Sequence, residues 1–442
     1  MKYIYGLNKS GISIINYFFK KKMQFVVWDD SIVQRKIISS KFKKILFKKP
    51  ENLNNLDIEE AYITPGLDMR SNKLKFLKKY KIKMYRDLEL YSKIISKQKV
   101  IAVTGTNGKS TTTKLIGHLI KSNKKNCFVG GNIGNPLVDF YNYKNKSKYH
   151  VIELSSFQLE SAPTFNSYIS ILLNISNDHL ERYKKIKNYI FQKQKIFNGK
   201  KNSFNIIAID DQYCRAIFDT YKKINFIPIS INKKVKKSIY VEDNNIIDNY
   251  FFKNKKIPII NISKSLYGKL NLQNILSAYA VSIILNINLS TFLLALKSFK
   301  GLPHRLETIR ENKDFLIINN SKATNIEASI KSLESYNNVY LILGGRIKEK
   351  NFIRFKKYNK KIKKCYVIGE SSYYIHNQIK NFIKSKVAKN LKTAVQKILL
   401  ETKNNKFKST ILFSPACSSF DQFSNFEERG NKFKEIIKKE LN

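Results

Sequence analysis

The stretch VTGTNGKSTTT, residues 103–113, decides the fold of the central part of this chain. It follows an apolar run that predicts a buried strand, and Lys109 and Ser110 then open a predicted helix. Gly105 and Gly108 allow the backbone to approach phosphate oxygens, and the first N–H groups of the helix point at the anion. The pattern therefore predicts a nucleotide-phosphate loop, in which Lys109 supplies positive charge and Ser110 supplies a hydroxyl for Mg²⁺.

This loop departs from the strict G-x-x-x-x-G-K-[ST] pattern at one position. The first glycine of that pattern falls on Val103. The strand, the loop, the lysine and the hydroxyl still follow one another in the order that phosphate binding requires. We therefore retain the prediction of a phosphate loop.

Strand-like and helix-like segments alternate on both sides of the loop. Short apolar runs such as KYIYG, YHVIEL and VYLILGG predict strands, and the segments between them have helical character. The segment GLNKSG resembles a dinucleotide fingerprint in which Asn8 replaces the middle glycine, so a simple strand-to-helix turn explains it equally well. The chain is predicted to be an α/β protein of three domains in series, at residues 1–93, 94–300 and 301–442.

Composition and charge exclude several other classes of protein. The chain has 442 residues, of which 43% are hydrophobic, so it can bury substantial cores. No run approaches the ~20 apolar residues of a membrane span, and the N-terminus does not resemble a signal peptide. Four widely spaced cysteines argue against disulfides and against a cysteine metal site. We expect a cytoplasmic protein without membrane insertion, and we expect it to be a monomer.

The net charge of +49 invites a role in nucleic-acid binding. The lysines, however, are spread along the whole chain, and no zinc-finger or RNA-recognition signature is present. A dedicated nucleic-acid partner is therefore not expected. A nonenzymatic nucleic-acid-binding protein remains the alternative of a different class, which one continuous basic groove would favour.

Six further motifs make the resemblance to a known family specific. In order along the chain they are GGNIGNP (130–136), VIELSSFQLE (151–160), DHLERY (178–183), GLPHRLE (301–307), NNSKATN (319–325) and SPACSSFDQFSNFEERG (414–430). Together with TGTNGKST, this series resembles the Mur ligases over almost the whole chain. The last motif is similar to the family member that adds D-glutamate. A folylpolyglutamate synthase, from the same superfamily, is the nearest alternative.

The resemblance implies the fold and the reaction. It implies a Rossmann-like UDP-binding first domain, a central ATPase-type domain with a phosphate loop and a parallel sheet, and a Rossmann-like third domain. The implied reaction is ATP-dependent ligation of D-glutamate to UDP-N-acetylmuramoyl-L-alanine through an acyl phosphate, in peptidoglycan biosynthesis. Such chemistry brings anionic groups together and so requires Mg²⁺ and cationic side chains.

The same resemblance assigns catalytic and nucleotide-binding residues. It implies two Mg²⁺ ions held by Ser110, Glu153, His179 and Lys193, the last as a carbamate formed with CO₂. In this lysine-rich chain, the sequence around Lys193 alone would predict a solvent-exposed helix residue. Lys195 is the alternative candidate for the carbamate. The positions that match ATP contacts are Gly105, Thr106, Asn107, Gly108, Lys109, Ser110, Thr111, Asn271, Asn274, Arg305, Asn320 and Lys322, with Lys109 and Arg305 also catalytic. Leu270 and Asn320 depart from the family, which usually has histidine and aspartate there.

Two further sets of residues are assigned to the other substrates by resemblance. The set for the UDP substrate is Lys9, Ser10, Asp29, Thr64 and Asn132. The set for D-glutamate is Thr324, Lys348, Ser419 and Phe426. Lys348 suits this task because a side-chain carboxylate requires a cation.

Overall fold

A computed structural model describes the chain over residues 1–54, 56–142, 147–197, 203–221, 223–232, 234–388, 390–402 and 407–441. Clustering of contacts divides it into two compact units. Unit 1 contains residues 1–262 and 269–299, and unit 2 contains residues 263–268 and 300–442. The predicted α/β class is confirmed, because each predicted domain contributes one largely parallel sheet. The exact domain boundaries stay a prediction.

The first sheet of unit 1 has the all-parallel order β2-β1-β3-β4 within the described residues. Its strands are β1 Lys2–Tyr5, β2 Phe25–Trp28, β3 Glu60–Ile63 and β4 Lys83–Tyr85. Its helices are α1 Lys9–Lys20, α2 Ile32–Lys41, α3 Lys75–Lys79 and α4 Asp87–Ile94, with 3₁₀ turns at Pro50–Asn52 and Asn72–Leu74.

The turn from β1 into α1 is closely packed against the end of β3. Gly6 has φ +103°, and a Cβ there would lie 1.9 Å from Thr64 Oγ1. A Cβ at Gly11 would lie 2.0 Å from the Gly6 carbonyl oxygen. These close approaches explain the two glycines of GLNKSG in steric terms alone.

The second sheet of unit 1 has the order β13-β12-β11-β10-β9-β8-β5-β7-β6 in the part of the chain that is described. Its strands are β5 Lys99–Thr104, β6 Cys127–Gly131, β7 Tyr149–Glu153, β8 Ile169–Leu172, β9 Phe204–Ala208, β10 Phe226–Ser230, β11 Ile239–Glu242, β12 Asn245–Asp248 and β13 Lys255–Pro258. Its helices are α5 Lys109–Ser122, α6 Ser156–Leu159, α7 Leu180–Tyr183, α8 Ile186–Gln194, α9 Gln212–Thr220, α10 Lys269–Ile284 and α11 Leu289–Ser298, with a 3₁₀ turn at Leu137–Asn142. The antiparallel extension β11-β12-β13 was not predicted.

The sheet of unit 2 has the order β14-β15-β19-β16-β17-β18 over its described residues, parallel except for the β14-β15 pair. Its strands are β14 Glu307–Glu311, β15 Phe315–Asn319, β16 Val339–Gly344, β17 Ile362–Ile368, β18 Ser385–Val387 and β19 Ser409–Phe413. Its helices are α12 Ile326–Leu333, α13 Ser372–Ile379, α14 Leu391–Thr402 and α15 Phe426–Leu441, with 3₁₀ turns at Lys264–Leu266 and Phe352–Lys361. Apolar side chains on both faces of this sheet form two buried clusters.

All four cysteines are buried and free. Among the described residues, no helix combines the length and the apolar character needed to cross a lipid bilayer.

A buried ion-pair network joins the first two sheets. The Arg86 guanidinium is fully buried and donates to Glu160 Oε2 at 2.9 Å, and Arg182 donates to the same oxygen at 2.8 Å. Arg86 also donates to the carbonyl oxygen of Thr64 at 2.7 Å. One carboxylate therefore holds two guanidinium groups that come from different sheets.

We expect Glu160→Gln to destabilise unit 1 by about 3–5 kcal/mol, because it leaves the fully buried Arg86 guanidinium without its ion-pair partner, whereas Arg182 keeps Asp68 at 3.8 Å. The only tryptophan, Trp28, lies in β2, so its fluorescence follows unfolding of the first sheet in urea. Glu59→Gln is the matched control, because Glu59 pairs with Lys2 at the surface. Equal unfolding midpoints for the two variants would contradict the prediction.

Candidate functional site

The phosphate loop connects β5 to α5 as the sequence predicts. Gly108 adopts a left-handed conformation with φ +83°, and a Cβ there would lie 2.6 Å from Asn274 Oδ1. Lys109 is the first residue of α5, and Ser110 and Thr111 are buried in its first turn. The exposed N–H groups of this turn and the helix dipole favour an anion at the loop.

Two lysine ammonium groups converge on one carbonyl oxygen of the loop. Lys109 Nζ donates to the carbonyl oxygens of Gly105 and Thr106, each at 2.8 Å. Lys193 Nζ, from α8, donates to the same Gly105 oxygen at 2.8 Å. Burial and, secondarily, the charge of Lys109 hold the pKa of Lys193 well below its usual range. A neutral amine at Lys193 is therefore favoured more than at an ordinary surface lysine.

Lys193 and Lys195 differ in their surroundings. Lys193 is 1% exposed, and its ammonium group lies 4.7 Å from the centre of the Tyr189 ring. Lys195 is exposed, and it donates to the carbonyl oxygen of Glu160 at 3.2 Å. The structure thus places Lys193 at the phosphate loop and Lys195 at the surface.

Asn274 connects α10 to the phosphate loop. Its Oδ1 accepts a hydrogen bond from Thr112 Oγ1 at 2.8 Å, and its Nδ2 donates to Asn271 Oδ1 at 2.8 Å. The predicted pair Asn271 and Asn274 therefore lies beside Gly108. The side chain of Leu270, where the sequence departs from the family, lies outside the described part of the structure.

A chain of amides that the sequence reading missed supports the other side of the loop. The Asn107 N–H donates to Asn174 Oδ1 at 2.8 Å, and Asn174 Nδ2 donates to Gln273 Oε1 at 3.1 Å. Gln273 Nε2 in turn donates to Asp210 Oδ2 at 2.8 Å. Asn174 follows β8 and Asp210 follows β9, so their position at the carboxyl ends of parallel strands was the available signal.

Glu153 has the chemistry of a metal ligand. It ends β7 opposite Val103 of β5, and it is 1% exposed. Its Oε1 accepts from Asn132 Nδ2 at 2.8 Å, whereas its buried Oε2 has no hydrogen-bond partner among the described residues. A buried carboxylate oxygen without a donor is costly, and a cation would compensate it.

Ser110 and Glu153 carry the oxygen atoms that a partial Mg²⁺ shell needs, whereas His179 would contribute an imidazole nitrogen. Hard oxygen ligands suit Mg²⁺, which usually completes its coordination with water and nucleotide phosphate oxygens. The described side chains contain no cluster of three or more His, Cys, Asp or Glu that would hold a metal ion without such additions. The unpaired Oε2 of Glu153 is the feature of these residues that fits a cation.

Aromatic contacts bring His179 towards the loop. His179 precedes α7 in a left-handed conformation, with φ +54°. Its ring lies 4.9 Å from the Phe157 ring and 6.1 Å from the Tyr189 ring, measured between centroids. The Tyr189 hydroxyl lies 3.3 Å from Thr106 Oγ1. Tyr189, which the sequence reading did not select, thus lies between His179, Thr106 and Lys193.

Four of the five residues predicted for the UDP substrate lie at the carboxyl edge of the first sheet, whereas Asn132 follows β6 of the second sheet. Both oxygens of Asp29 accept backbone N–H bonds, from Leu7 at 2.7 Å and from Ser31 at 2.9 Å. Asp29 therefore anchors the loop after β1, and its contact with uridine stays a prediction. Thr64 packs on Gly6, Ser10 hydrogen bonds to buried Asp87, and Lys9 is exposed at the start of α1.

In unit 2, Asn320 is a buried structural contact. Its Oδ1 accepts from the Leu306 N–H at 3.3 Å, and its Nδ2 donates to Ser414 Oγ at 3.0 Å. The amide thus holds the turn that contains Arg305, and a contact with ribose stays a prediction. Lys322 lies 5.4 Å from the centre of the Phe426 ring.

The four residues predicted for D-glutamate occupy loops of unit 2. Thr324 follows β15, Lys348 follows β16, Ser419 follows β19, and Phe426 begins α15. Ser419 is buried, Thr324 and Phe426 are half-buried, and Lys348 is exposed. The loops of Thr324, Lys348 and Ser419 follow strands that are neighbours in the sheet, so they leave the sheet at the same edge.

Comparison with known proteins agrees with this geometry. A model of the Mur ligase middle domain matches residues 103–282. The UDP-N-acetylmuramoylalanine--D-glutamate ligase of Rickettsia prowazekii is 36% identical over 99% of this chain and 97% of its own length. The ligase of the same name from Clostridioides difficile is 34% identical over 98% and 97%. The chain therefore belongs to the Mur ligase family. Within that family it is similar to D-glutamate ligases over nearly its whole length.

Solved structures agree on the fold. The UDP-N-acetylmuramate-alanine ligase MurC of Thermotoga maritima aligns with a TM-score of 0.61 and 17% identity, and the alignment covers 99% of both chains. The MurF ligase of the same organism, solved in complex with ADP, aligns with a TM-score of 0.54 and 17% identity over 87% of this chain and 90% of its own.

We expect Lys109→Ala to lower the turnover of ATP by about 10²–10³, because it removes a preorganised cation from the transferring phosphate. Lys121→Ala is the control, since Lys121 lies in the last turn of the same helix. ADP formation at saturating substrates measures both rates, and circular dichroism verifies the fold. A Lys109→Ala enzyme with near-normal turnover would remove the phosphate-loop assignment.

Proposed function

We propose that this chain forms the amide bond between D-glutamate and UDP-N-acetylmuramoyl-L-alanine, with ATP converted to ADP and phosphate, in peptidoglycan biosynthesis. The observation that carries this function is the near-full-length similarity to ligases of that name, combined with the phosphate loop between β5 and α5. Neither a folylpolyglutamate synthase nor a nucleic-acid-binding protein is favoured by these relatives. We also propose a cytoplasmic location, where ATP and UDP-linked sugars are available, and the monomeric state stays a prediction.

The reaction has two chemical steps. An oxygen of the alanyl carboxylate attacks the γ-phosphorus of ATP, the bond to the ADP oxygen breaks, and an acyl phosphate forms. The amine of D-glutamate then attacks the acyl carbon, loses a proton, and phosphate leaves. In the first step a carboxylate approaches the anionic triphosphate, and in the second step an amine lone pair approaches an anionic acyl phosphate. Cations at the phosphate loop therefore lower the barriers of both steps.

Lys109 is the residue we assign to the transferring phosphate. In the structure it donates to two carbonyl oxygens of its own loop. Phosphate oxygens carry more negative charge than these carbonyls, and so are the stronger acceptors for an ammonium group. We therefore propose that Lys109 exchanges these contacts for ATP oxygens, while the N–H groups of Ser110 and Thr111 in the first turn of α5 hold the remaining phosphates.

Mg²⁺ is proposed to be held by Ser110, Glu153 and His179, where it would neutralise phosphate charge. The free Oε2 of Glu153 supports this assignment, since its other oxygen is already held by Asn132. Asn132 therefore orients Glu153, in addition to the contact with the muramoyl group that we propose for it.

A carbamate on Lys193 is proposed as a further ligand. The neutral amine attacks CO₂, a C–N bond forms, one proton leaves, and the side chain becomes an anion. Two observations support this proposal: Lys193 is buried at the phosphate loop, and its lowered pKa favours the reactive amine. A second Mg²⁺ ion would then offset the new negative charge.

In unit 2 we propose that Arg305, Asn320 and Lys322 serve ATP, and that Thr324, Lys348, Ser419 and Phe426 serve D-glutamate. Lys348 is exposed and basic, which suits the side-chain carboxylate of the amino acid. Ser419 and Thr324 supply hydroxyl groups for hydrogen bonds, and Phe426 supplies an apolar face.

We expect Lys193→Ala to abolish most ligase activity and Lys195→Ala to retain it, because only Lys193 lies at the phosphate loop. The paired variants are measured by phosphate release, with and without added bicarbonate. Mass spectrometry of the chemically trapped carbamate provides a readout that is independent of activity. Equal activity in the two variants, or no trapped adduct on Lys193, would contradict the carbamate.

A further inference from the structure

Arg429 is a buried arginine that forms no salt bridge with a described carboxylate, although the charge of Asp421 acts on it from beyond salt-bridge distance. It lies in the first turns of α15 and is 2% exposed. The other large buried guanidinium, that of Arg86, donates to Glu160 at 2.9 Å. No comparable ion pair involves Arg429 within the described residues. Because a buried charge without a direct ion pair is costly, the fold is expected to use this guanidinium for a specific contact.

The guanidinium connects two loops that carry predicted ligand-binding residues. Its Nε donates to Ser321 Oγ at 3.0 Å, and one terminal nitrogen donates to the Ser321 carbonyl oxygen at 2.8 Å. The other terminal nitrogen donates to the carbonyl oxygen of Cys417 at 3.1 Å. Ser321 immediately precedes Lys322, and Cys417 lies two residues before Ser419. A single planar group therefore fixes the spacing of both loops.

Ser321 extends this connection to the start of α15. Its hydroxyl accepts from Arg429 and donates to the Phe426 carbonyl oxygen at 2.9 Å. Phe426 lies one helical turn before Arg429, and its ring contacts the Lys322 ammonium. The network thus connects Lys322, which is assigned to ATP, with Phe426, which is assigned to D-glutamate.

The backbone beside Cys417 is strained, so the hydrogen bond from Arg429 to its carbonyl oxygen helps to hold it in place. Ala416 adopts φ +57°, a left-handed conformation that is unfavourable for a residue with a Cβ. Its N–H donates to the Ala323 carbonyl oxygen at 2.9 Å, which links the same two loops. Strained positions persist where the surrounding structure over-determines them, and they concentrate at functional sites.

We infer that Arg429 is a positioning residue for the two loops of unit 2 that contain Ser321 and Cys417. Through these loops it determines how tightly D-glutamate and ATP bind. The inference rests on the proposed function. It assigns Arg429 no contact with a substrate, since all three guanidinium nitrogens already bond to Ser321 and Cys417. Burial lowers the pKa of Arg429 to about 10, so the guanidinium remains charged at neutral pH.

The test compares the kinetics of wild type, Arg429→Lys, Ser321→Ala and the control Arg354→Lys. Lysine keeps the charge of Arg429 but cannot hold both loops in a planar fork. Ser321→Ala removes the relay to Phe426 with little change in volume. Arg354 is exposed and pairs with Glu327 in the same unit. The Michaelis constants for D-glutamate, ATP and UDP-N-acetylmuramoyl-L-alanine are measured for each protein.

For Arg429→Lys we expect the KM for D-glutamate and for ATP to rise by about tenfold or more, with the KM for the UDP substrate unchanged. Ser321→Ala should change the same two constants in the same direction by a smaller factor, and Arg354→Lys should change none. A lower kcat with all three constants unchanged would assign Arg429 to stability alone and overturn the inference. A wild-type protein without D-glutamate-dependent turnover would instead overturn the proposed function and, with it, the inference.

Discussion

The carbonyl oxygen of Gly105 accepts hydrogen bonds from two lysine ammonium groups, and the chemistry proposed for unit 1 depends on that convergence. Lys109 and Lys193 both donate to it at 2.8 Å, although their charges repel. Such an arrangement favours either anions nearby or the loss of one proton. In the proposed function ATP would supply the anions, and a neutral or carbamylated Lys193 would remove the repulsion. Glu153, with one buried oxygen lacking a described donor, is the position proposed for a cation at the same strand ends.

In unit 2 the residues proposed to bind ligands lie on separate loops, and a common site requires those loops to keep a fixed spacing. The Arg429 guanidinium connects the loop of Ser321 with that of Cys417, and the hydroxyl of Ser321 continues the connection to Phe426. Unit 1 therefore concentrates positive charge around one loop, whereas unit 2 uses one buried charge to hold loops together. Both arrangements preorganise groups before a ligand binds, which reduces the entropic cost of ordering them.

Local patterns predicted the parts of the molecule that depend on neighbouring residues. The glycines and lysine of residues 103–113 require a strand, a turn and a helix in that order, and the structure has them as β5, the loop and α5. The positions of Lys193 and Arg429 could not be predicted in this way. In a chain with 82 lysine and arginine residues, nothing local distinguishes a buried cation from a solvated one. Their burial results from contacts with residues about 90 to 110 positions away in sequence.

Two of the predicted site residues, Asp29 and Asn320, make contacts within the protein that explain their presence without a ligand. The backbone N–H bonds of Leu7 and Ser31 occupy the carboxylate of Asp29, and contacts with Leu306 and Ser414 occupy the amide of Asn320. A sequence motif cannot separate a residue that shapes a loop from one that contacts the ligand, because both roles place it at the same strand end. Asn174 and Asp210 belong to no recognised motif and were not predicted. Their positions at strand ends were the available indication that they lie beside the phosphate loop.

The most direct test of the account is phosphate release from ATP with UDP-N-acetylmuramoyl-L-alanine as acceptor, compared among D-glutamate, L-glutamate and L-lysine at equal concentrations. The account predicts Mg²⁺-dependent release with D-glutamate, one dipeptide product formed per phosphate, and little release with the other two amino acids. Release that is equal for all three, or fastest with L-lysine, would contradict the assignment of this chain as a D-glutamate ligase.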